Sequence, residues 1–441
     1  MASDLAVVHS NAAGIDIGSR EIFVSVGDAT VKRFSTFTEG YEEAIKYLQS
    51  KGVTTVAMES TGVYWVMLYS MLEDAGLEPW LVNGAHTRNV PGRKSDVSDC
   101  QWLQQLHRFG LLHRSAVPGP EIRALRVYVR QRDVLIADAA RQIQHMGKAL
   151  EQMNIKLDTV ISSLVSESGL RIIGAILGGE RNPEVLVQLC DKRIIQAKRA
   201  EVLASLRGTY RAEHIFTLAQ ALETWQFQQQ QIRHCDKEIE KALQTITDDL
   251  PPTSSSGPEK RTRHHQPDIE NLHGMLERIA MGRNVSAITG ISDTTFLKIL
   301  AETGPDLRRW KNEKHFASWA GLAPCRRQSG KSNRPEYRRN THRVGQIIRT
   351  AVQSLARRPD TPLGAFYHRL KSRHGSRVAM KAMARKVAVL IYRVLVYGME
   401  YVSHGMEKYK QQLELQRINA AQRMAKRCNM QLVPLPLPTC Q

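Results

Sequence analysis

The strongest constraint on the fold is a switch of hydrophobic period, repeated several times between residues 13 and 108. Ala13-Gly-Ile-Asp-Ile-Gly18 is a short apolar run that carries one acid and closes on Gly. Residues 21–26 alternate apolar and polar side chains, and residues 32–38 read as a third strand. Residues 40–51 change to helical spacing, with Tyr41, Ala44, Ile45 and Leu48 on one face and Gly52 as a stop. Residues 54–59 form a fourth strand, apolar until Glu59. Residues 63–75 form a second helix ended by Gly76, and residues 79–82 a fifth strand. A basic loop over 85–94 then leads into a helix that begins near Asp96. Three strands followed by helix, strand, helix, strand, helix predict a meander extended by parallel strands.

In such a sheet Asp16, inside the first strand, and Glu59, at the end of the fourth, lie side by side. The helix carrying Asp96 and Asp99 packs across them, and residues three apart share a helix face. Each acid also has an ordinary reading. Asp16 is a turn residue before Gly18, Glu59 caps the turn at Ser60-Thr-Gly62, and Asp96 and Asp99 complement a helix dipole. Against this, an acid within an apolar strand is costly to bury without a partner. Two acids on one face repel unless a cation lies between them, and Mg2+ takes only one or two protein carboxylates, with water and phosphate completing its shell. The expectation is that the four acids converge on one point.

Composition limits the partners. The chain has 441 residues, a length for two to four domains. Its 62 Lys and Arg against 43 acids give a formal charge of +19, which calls for a polyanion, nucleic acid or an acidic membrane surface. The longest apolar run, residues 387–399, is interrupted by Arg393 and is too short to span a bilayer. The first residues lack a basic stretch followed by an apolar core, so no signal peptide is expected. The six cysteines are scattered without a Cys-x-x-Cys pair, which argues against a zinc site or a disulfide framework and fits a reducing cytoplasm.

The remainder reads as largely helical, with expected divisions at 1–116, 117–250, a 251–270 linker, 271–402 and 403–441. Pro118-Gly-Pro120 closes the first part. Residues 121–153 and 218–250 carry long helical patterns that pair as an antiparallel coiled coil or dimer arm, or sit in a plain bundle. Arg123, Arg126, Arg130, Arg132 and Arg141 line the first of them and are candidates for tracking phosphates. Gly290-Ile-Ser292 resembles the hairpin of a helix-hairpin-helix, or is a packing turn. Residues 316–324 are an apolar helix with a Gly-Leu-x-Pro exit. They lead to a basic turn in which Ser329 precedes Gly330, flanked by Arg326, Arg327 and Lys331. By composition alone Ser-Gly there is a loop. Arg338, Arg339 and Arg343 continue a stretch too basic for a packed face, and with Arg93 and Lys94 they are candidate nucleic-acid contacts. Residues 378–399 read as a core helix and 407–426 as a polar one.

The strand order and the acids at 16, 59, 96 and 99 resemble the RNase H-like fold and the DEDD set of RuvC-like Holliday junction resolvases. Gly14-Ile-Asp-Ile-Gly18, Glu59-Ser-Thr-Gly-Val-Tyr-Trp65 and Pro91-Gly-Arg-Lys-Ser-Asp-Val-Ser-Asp99 together resemble the DEDD transposases of insertion-sequence family one-ten, recombinases guided by a bridge RNA. Gly-Leu-x-Pro followed by Ser-Gly-Lys is similar to the C-terminal motif of that family. The resemblance implies an α/β plus α protein with a RuvC-like N-terminal domain, a coiled-coil middle and a mainly helical transposase domain. It implies Mg2+ held by Asp16, Glu59, Asp96 and Asp99, and Ser329 as the nucleophile that forms a covalent phosphoserine. It further implies double-stranded DNA (element ends and target), a structured noncoding bridge RNA and a tetramer built as a dimer of dimers in a bacterial cytoplasm, on the nucleoid. Two other function classes fit the same residues. One is a RuvC-like endonuclease that activates water with Ser329 incidental, and the other is a non-catalytic nucleic-acid-binding protein.

Overall fold

A computed structural model describes residues 6–27, 30–60, 62–84, 96–252, 265–329, 332–336 and 342–431, with the backbone alone at Asp96, through 325–336 and over much of 401–417. The chain divides into two compact units, Met1–Val117 and Pro118–Gln441. The first is a mixed α/β unit and the second is mostly helical.

In the first unit, β1 (Ala12–Ile17), β2 (Glu21–Val26) and β3 (Lys32–Ser35) form an antiparallel meander. Helix α1 (Thr38–Ser50) returns the chain to β4 (Thr55–Glu59), and α2 (Trp65–Asp74) leads to β5 (Glu78–Val82). Both later strands add in parallel, giving the order β3-β2-β1-β4-β5. Helix α3 (Asp96–Arg108) completes the unit. Period-two alternation sorts the two faces of the sheet. Ile15, Ile17, Val56, Met58 and Leu81 share a core with Tyr41, Ala44 and Leu48 of α1 and Leu68, Tyr69 and Leu72 of α2. Their neighbours Ala57 and Val82 face the other way and pack with Leu103 of α3 and Leu112.

Helix α3 runs down that second face in contact with β1. A Cβ on Gly14 would meet the Cys100 carbonyl oxygen and the Gln104 backbone, so only glycine permits the approach. At the far end of the sheet the fully buried His107 is hydrogen-bonded to Thr55 Oγ1 at 2.9 Å. The Thr55 hydroxyl donates to the Glu78 carbonyl at 3.0 Å, so His107 Nε2 carries the proton and donates to Thr55. His9 and Trp80 pack on the His107 ring at 4.6 Å and 4.9 Å, and Nδ1 has no hydrogen-bond partner among the described residues. Burial first, then the neighbouring His9 and Arg114, pull His107 down to about 4.

In the second unit, α4 (Pro120–Gln152) and α9 (Ala212–Asp248) lie antiparallel. Arg132 and Asp236 form a buried ion pair midway along them, while Met146 and Leu150 share a core with Leu218 and Leu222. Four shorter helices fill the span between: α5 (Leu157–Val160), α6 (Glu167–Leu177), α7 (Pro183–Val187) and α8 (Lys192–Ser205). Beyond α9 come α10 (Leu272–Ile279), α11 (Asp293–Thr303) and α12 (Glu313–Trp319), then a hairpin of β6 (Cys325–Ser329) and β7 (Ser332–Glu336). Helix α13 (Arg343–Ala351), α14 (Pro362–Tyr397, broken at Gly375 with φ +78) and α15 (Met399–Arg427) complete it. No helix among the described residues is long and apolar enough to cross a membrane.

The arginines of α4 are engaged within this unit. Arg126 donates to the Ala301 and Glu302 carbonyls at the end of α11, each at 2.9 Å. Arg130 makes a two-point contact with the Glu302 carboxylate at 2.8 and 2.7 Å, and Arg343 reaches the same carboxylate at 3.2 Å. Glu302 is thus a nearly buried anion shared by three helices.

Two outcomes follow for stability. The unfolded chain protonates His107 near its ordinary value of about 6.5, whereas the folded chain resists to about 4. The stability that neutral His107 supplies is complete above pH ~6.5, and about 3 kcal/mol of it is lost as pH falls toward 4. Melting curves of wild type and His107→Gln should diverge over that window; parallel curves would contradict the assignment. Replacing Glu302 by Leu leaves the guanidinium groups of Arg126, Arg130 and Arg343 around an uncharged site and, with the last two partly in solvent, should cost about 1–3 kcal/mol in urea unfolding.

Candidate functional site

Asp16 and Glu59 reach the same edge of the sheet for a simple topological reason. Strands β1 and β4 are parallel neighbours, and Ile15 pairs with Met58. One residue further along sets Asp16 beside Glu59. Both lie on the face that carries α3, in alternation with Ile15, Ile17 and Met58 on the opposite core. Both are half-buried. The Glu59 carboxylate lies over Gly84, just beyond β5, where a Cβ would collide with it. Glu59 is therefore seated on a position that has no side chain.

Helix α3 begins above this edge. Its contact with Gly14 is made by Cys100 and Gln104, so its first turn extends past Gly14 toward Asp16. Electrostatics agree. Burial pushes the Cys100 thiol up to about 12, with the negative charges of Asp16 and, more weakly, Asp99 adding to it. Cys100 is thus an inert protonated thiol lying within the field of both acids. Asp99 is exposed on the first turn, and Asp96 opens the helix with its side chain outside the described residues. Among the described residues no three His, Cys, Asp or Glu side chains group closely enough to hold a metal ion. What is brought together is the Asp16–Glu59 pair, with Asp99 nearby. Carboxylates at neighbouring strand ends are hard donors, and one or two are what Mg2+ takes from a protein, so the pair fits a divalent cation.

The second candidate element is the β6–β7 hairpin. Ser329 ends β6 and pairs with Ser332, which leaves Gly330 and Lys331 between them. Helix α12 stops at Gly321 (φ +68), with Leu322 N bonded to the Ala317 carbonyl. The Trp319 ring lies 4.1 Å from the His342 ring just before α13. The two stems that flank the hairpin therefore touch. Trp319 also packs on Trp310 and Phe316, and Tyr392 of α14 donates to the Trp310 carbonyl at 2.9 Å, so the base is tied to α14.

The expected nucleic-acid contacts divide. Arg93, Lys94, Lys331, Arg338 and Arg339 lie outside the described residues, as does most of the expected linker. Arg326 and Arg327 occupy β6, with only their backbone described. Arg343 is held between Asp133 at 2.6 Å and Glu302 at 3.2 Å. At Gly290-Ile-Ser292 the Ser292 hydroxyl caps α11 through the Thr295 amide, and a Cβ on Gly290 would meet Leu355. That turn is packed against its neighbours. The seat at Gly84 and the His107 cluster escaped sequence reasoning, since nothing local to either residue signals it.

Residues 13–155 match the DEDD transposase model of the IS110 group, and residues 282–368 match the transposase family IS116/IS110/IS902. The first segment contains all four acids and the second contains Ser329. Together they span more than half of the chain, which is a transposase. It belongs to the IS110 family of DEDD transposases. No curated protein gives a significant sequence match.

The seat under Glu59 gives a direct test. Gly84→Ala should push the Glu59 carboxylate off the sheet edge and lower DNA cleavage by the transposase on the order of 100-fold. The unfolding midpoint should stay near that of wild type. Unchanged cleavage would show that the position of Glu59 is immaterial.

Proposed function

We propose that this transposase cuts and rejoins DNA through a phosphoserine at Ser329, with the acids of the first unit, an RNase H-like domain, holding a divalent cation at the scissile phosphate. The observation that carries this reading is the placement of Asp16 beside Glu59, under the start of the helix that bears Asp96 and Asp99. Carboxylates at adjacent strand ends are hard oxygen donors of the kind a divalent cation takes from a protein.

In the proposed reaction Asp16 and Glu59 would hold Mg2+, with Asp96 and Asp99 completing the acidic set. The bound ion supplies Lewis-acid polarisation and a template for the phosphate. The Ser329 oxygen forms a bond to phosphorus while one phosphorus–oxygen bond to deoxyribose breaks. The serine proton is released and the departing oxygen takes up a proton. The phosphoserine keeps the energy of the broken linkage, and attack by a different deoxyribose hydroxyl restores a phosphodiester and frees Ser329. Arg326, Arg327 and Lys331 flank the nucleophile and suit the charge that develops on the non-bridging oxygens.

The acids and Ser329 belong to different units, so the reaction requires both on one phosphate. We read this as the work of a tetramer, a dimer of dimers, that holds element-end and target DNA. In this reading a structured bridge RNA supplies the sequence choice by base pairing, while the protein reads backbone and shape. Arg93, Lys94, Arg338 and Arg339 are the proposed backbone contacts, and Arg343 would join them only on leaving its ion pairs.

The test is a denaturing gel of labelled element-end DNA incubated with Mg2+ and protein co-expressed with its flanking noncoding RNA. Wild type should give a protein-linked band that is lost in both Ser329→Ala and Asp16→Asn. Free nicked DNA from wild type and Ser329→Ala alike would instead support hydrolysis by water, as in a RuvC-like nuclease.

A further inference from the structure

The chain leaving β4 carries an apolar surface that is exposed among the described residues. Val63 is 76% exposed, Tyr64 49%, Val66 44% and Met67 55%. The same helix buries Leu68, Tyr69 and Leu72 in the core, so the first turn of α2 and the residues before it have both an inner apolar side and an outer one. A run of large apolar side chains facing water is costly unless it meets something. Residues 60–72 also contain no charged residue, in a chain with a surplus of 19 positive charges. This stretch is not built to bind phosphates.

Its position says what it meets. Glu59 ends β4, and Ser60 is still bonded to the sheet through the Val82 carbonyl at 2.9 Å. Gly62 turns the chain at φ +54, and Val63 follows. The exposed side chains therefore begin four residues after Glu59, at the end of the sheet where Asp16 and Glu59 lie. A strand whose phosphate rests on those acids places its neighbouring bases at this rim. Base faces are apolar and polarisable, and they stack on aromatic and sulfur-bearing side chains irrespective of sequence. Apolar side chains that enter a base step also unstack it.

We propose that Val63, Tyr64, Val66 and Met67 form a stacking rim for unpaired bases of the DNA strand whose phosphate is held at Asp16 and Glu59, with Tyr64 and Met67 as the main contacts. The inference rests on the reading of those acids as the phosphate site. The rim receives the bases next to the cut and keeps them out of the duplex, while the cationic surfaces elsewhere hold the backbone.

The test uses the full-length chain carrying Ser329→Ala, in Ca2+, so that the acids keep a divalent cation while no DNA is cut. The probes are a short single strand of DNA and an abasic strand of the same length and charge. The ratio of the two affinities should fall roughly tenfold when Tyr64→Ser and Met67→Ser are added, because stacking is lost while phosphate contacts remain. Tyr64→Trp should retain the ratio. An unchanged ratio overturns the rim, as does a ratio that stays constant while the serine variant dissociates to a smaller oligomer in sedimentation, which would make the patch a contact between copies of the chain. The two readings fail separately. A preserved stacking ratio in a protein that neither nicks nor joins DNA in Mg2+ removes the phosphate-site reading, and an active protein without a stacking difference removes the rim alone.

Discussion

The close contact of α3 with β1 at Gly14 fixes the rest of the first unit. The helix backbone lies against the strand because position 14 offers no side chain. That approach sends the first turn of α3 toward Asp16 and lets its last turn bring His107 to Thr55. One end of the helix thus serves a buried, neutral, hydrogen-bonded histidine, and the other serves a half-buried acidic edge. The two ends have opposite demands. His107 sits in a buried aromatic cluster that disfavours charge, whereas Asp16 and Glu59 are only half-buried. A helix lifted by even one methyl group would disturb both.

The second unit shows why a large positive charge cannot be assigned to nucleic acid residue by residue. Arg126, Arg130 and Arg132 look in sequence like a cationic helix face. In the fold they bind carbonyls at the end of α11, the Glu302 carboxylate and buried Asp236. Lys298 and Arg343 likewise share Asp133. These cations order the helices around Glu302 and contribute little to the outward field. By contrast Lys371, Arg373, His374 and Arg377 are exposed around the break in α14 at Gly375, in a stretch where the sequence has no acid.

The first unit was largely legible because its signals are local. Short apolar runs closed by glycine or an acid, with alternation at residues 21–26, gave the strands, and the rule for parallel strand addition led to Asp16 lying next to Glu59. The β6–β7 hairpin was not legible, because Cys-Arg-Arg-Gln-Ser and Ser-Asn-Arg-Pro-Glu have no apolar alternation to announce a strand. The helices α5 to α8 are short and mixed, so their periodicity is weak. Arg343 reads as an exposed contact because the carboxylates that hold it come from α4 and α11, distant in the chain. Val63, Tyr64 and Met67 illustrate the same limit in reverse, since an apolar run reads as core until the fold shows which side faces water. The seat of Glu59 on Gly84 belongs with them, because it joins two strand ends that no local pattern connects.

The central claim is that Asp16 and Glu59 act as one cation-holding edge. The most direct measurement is an anomalous-difference map from crystals of the full chain soaked in Mn2+. The account predicts a peak about 2.0–2.2 Å from a carboxylate oxygen of both Asp16 and Glu59, as expected for a hard divalent ion, and no peak there in Asp16→Asn. A peak bound by only one of the two acids, or one that persists in Asp16→Asn, would contradict it.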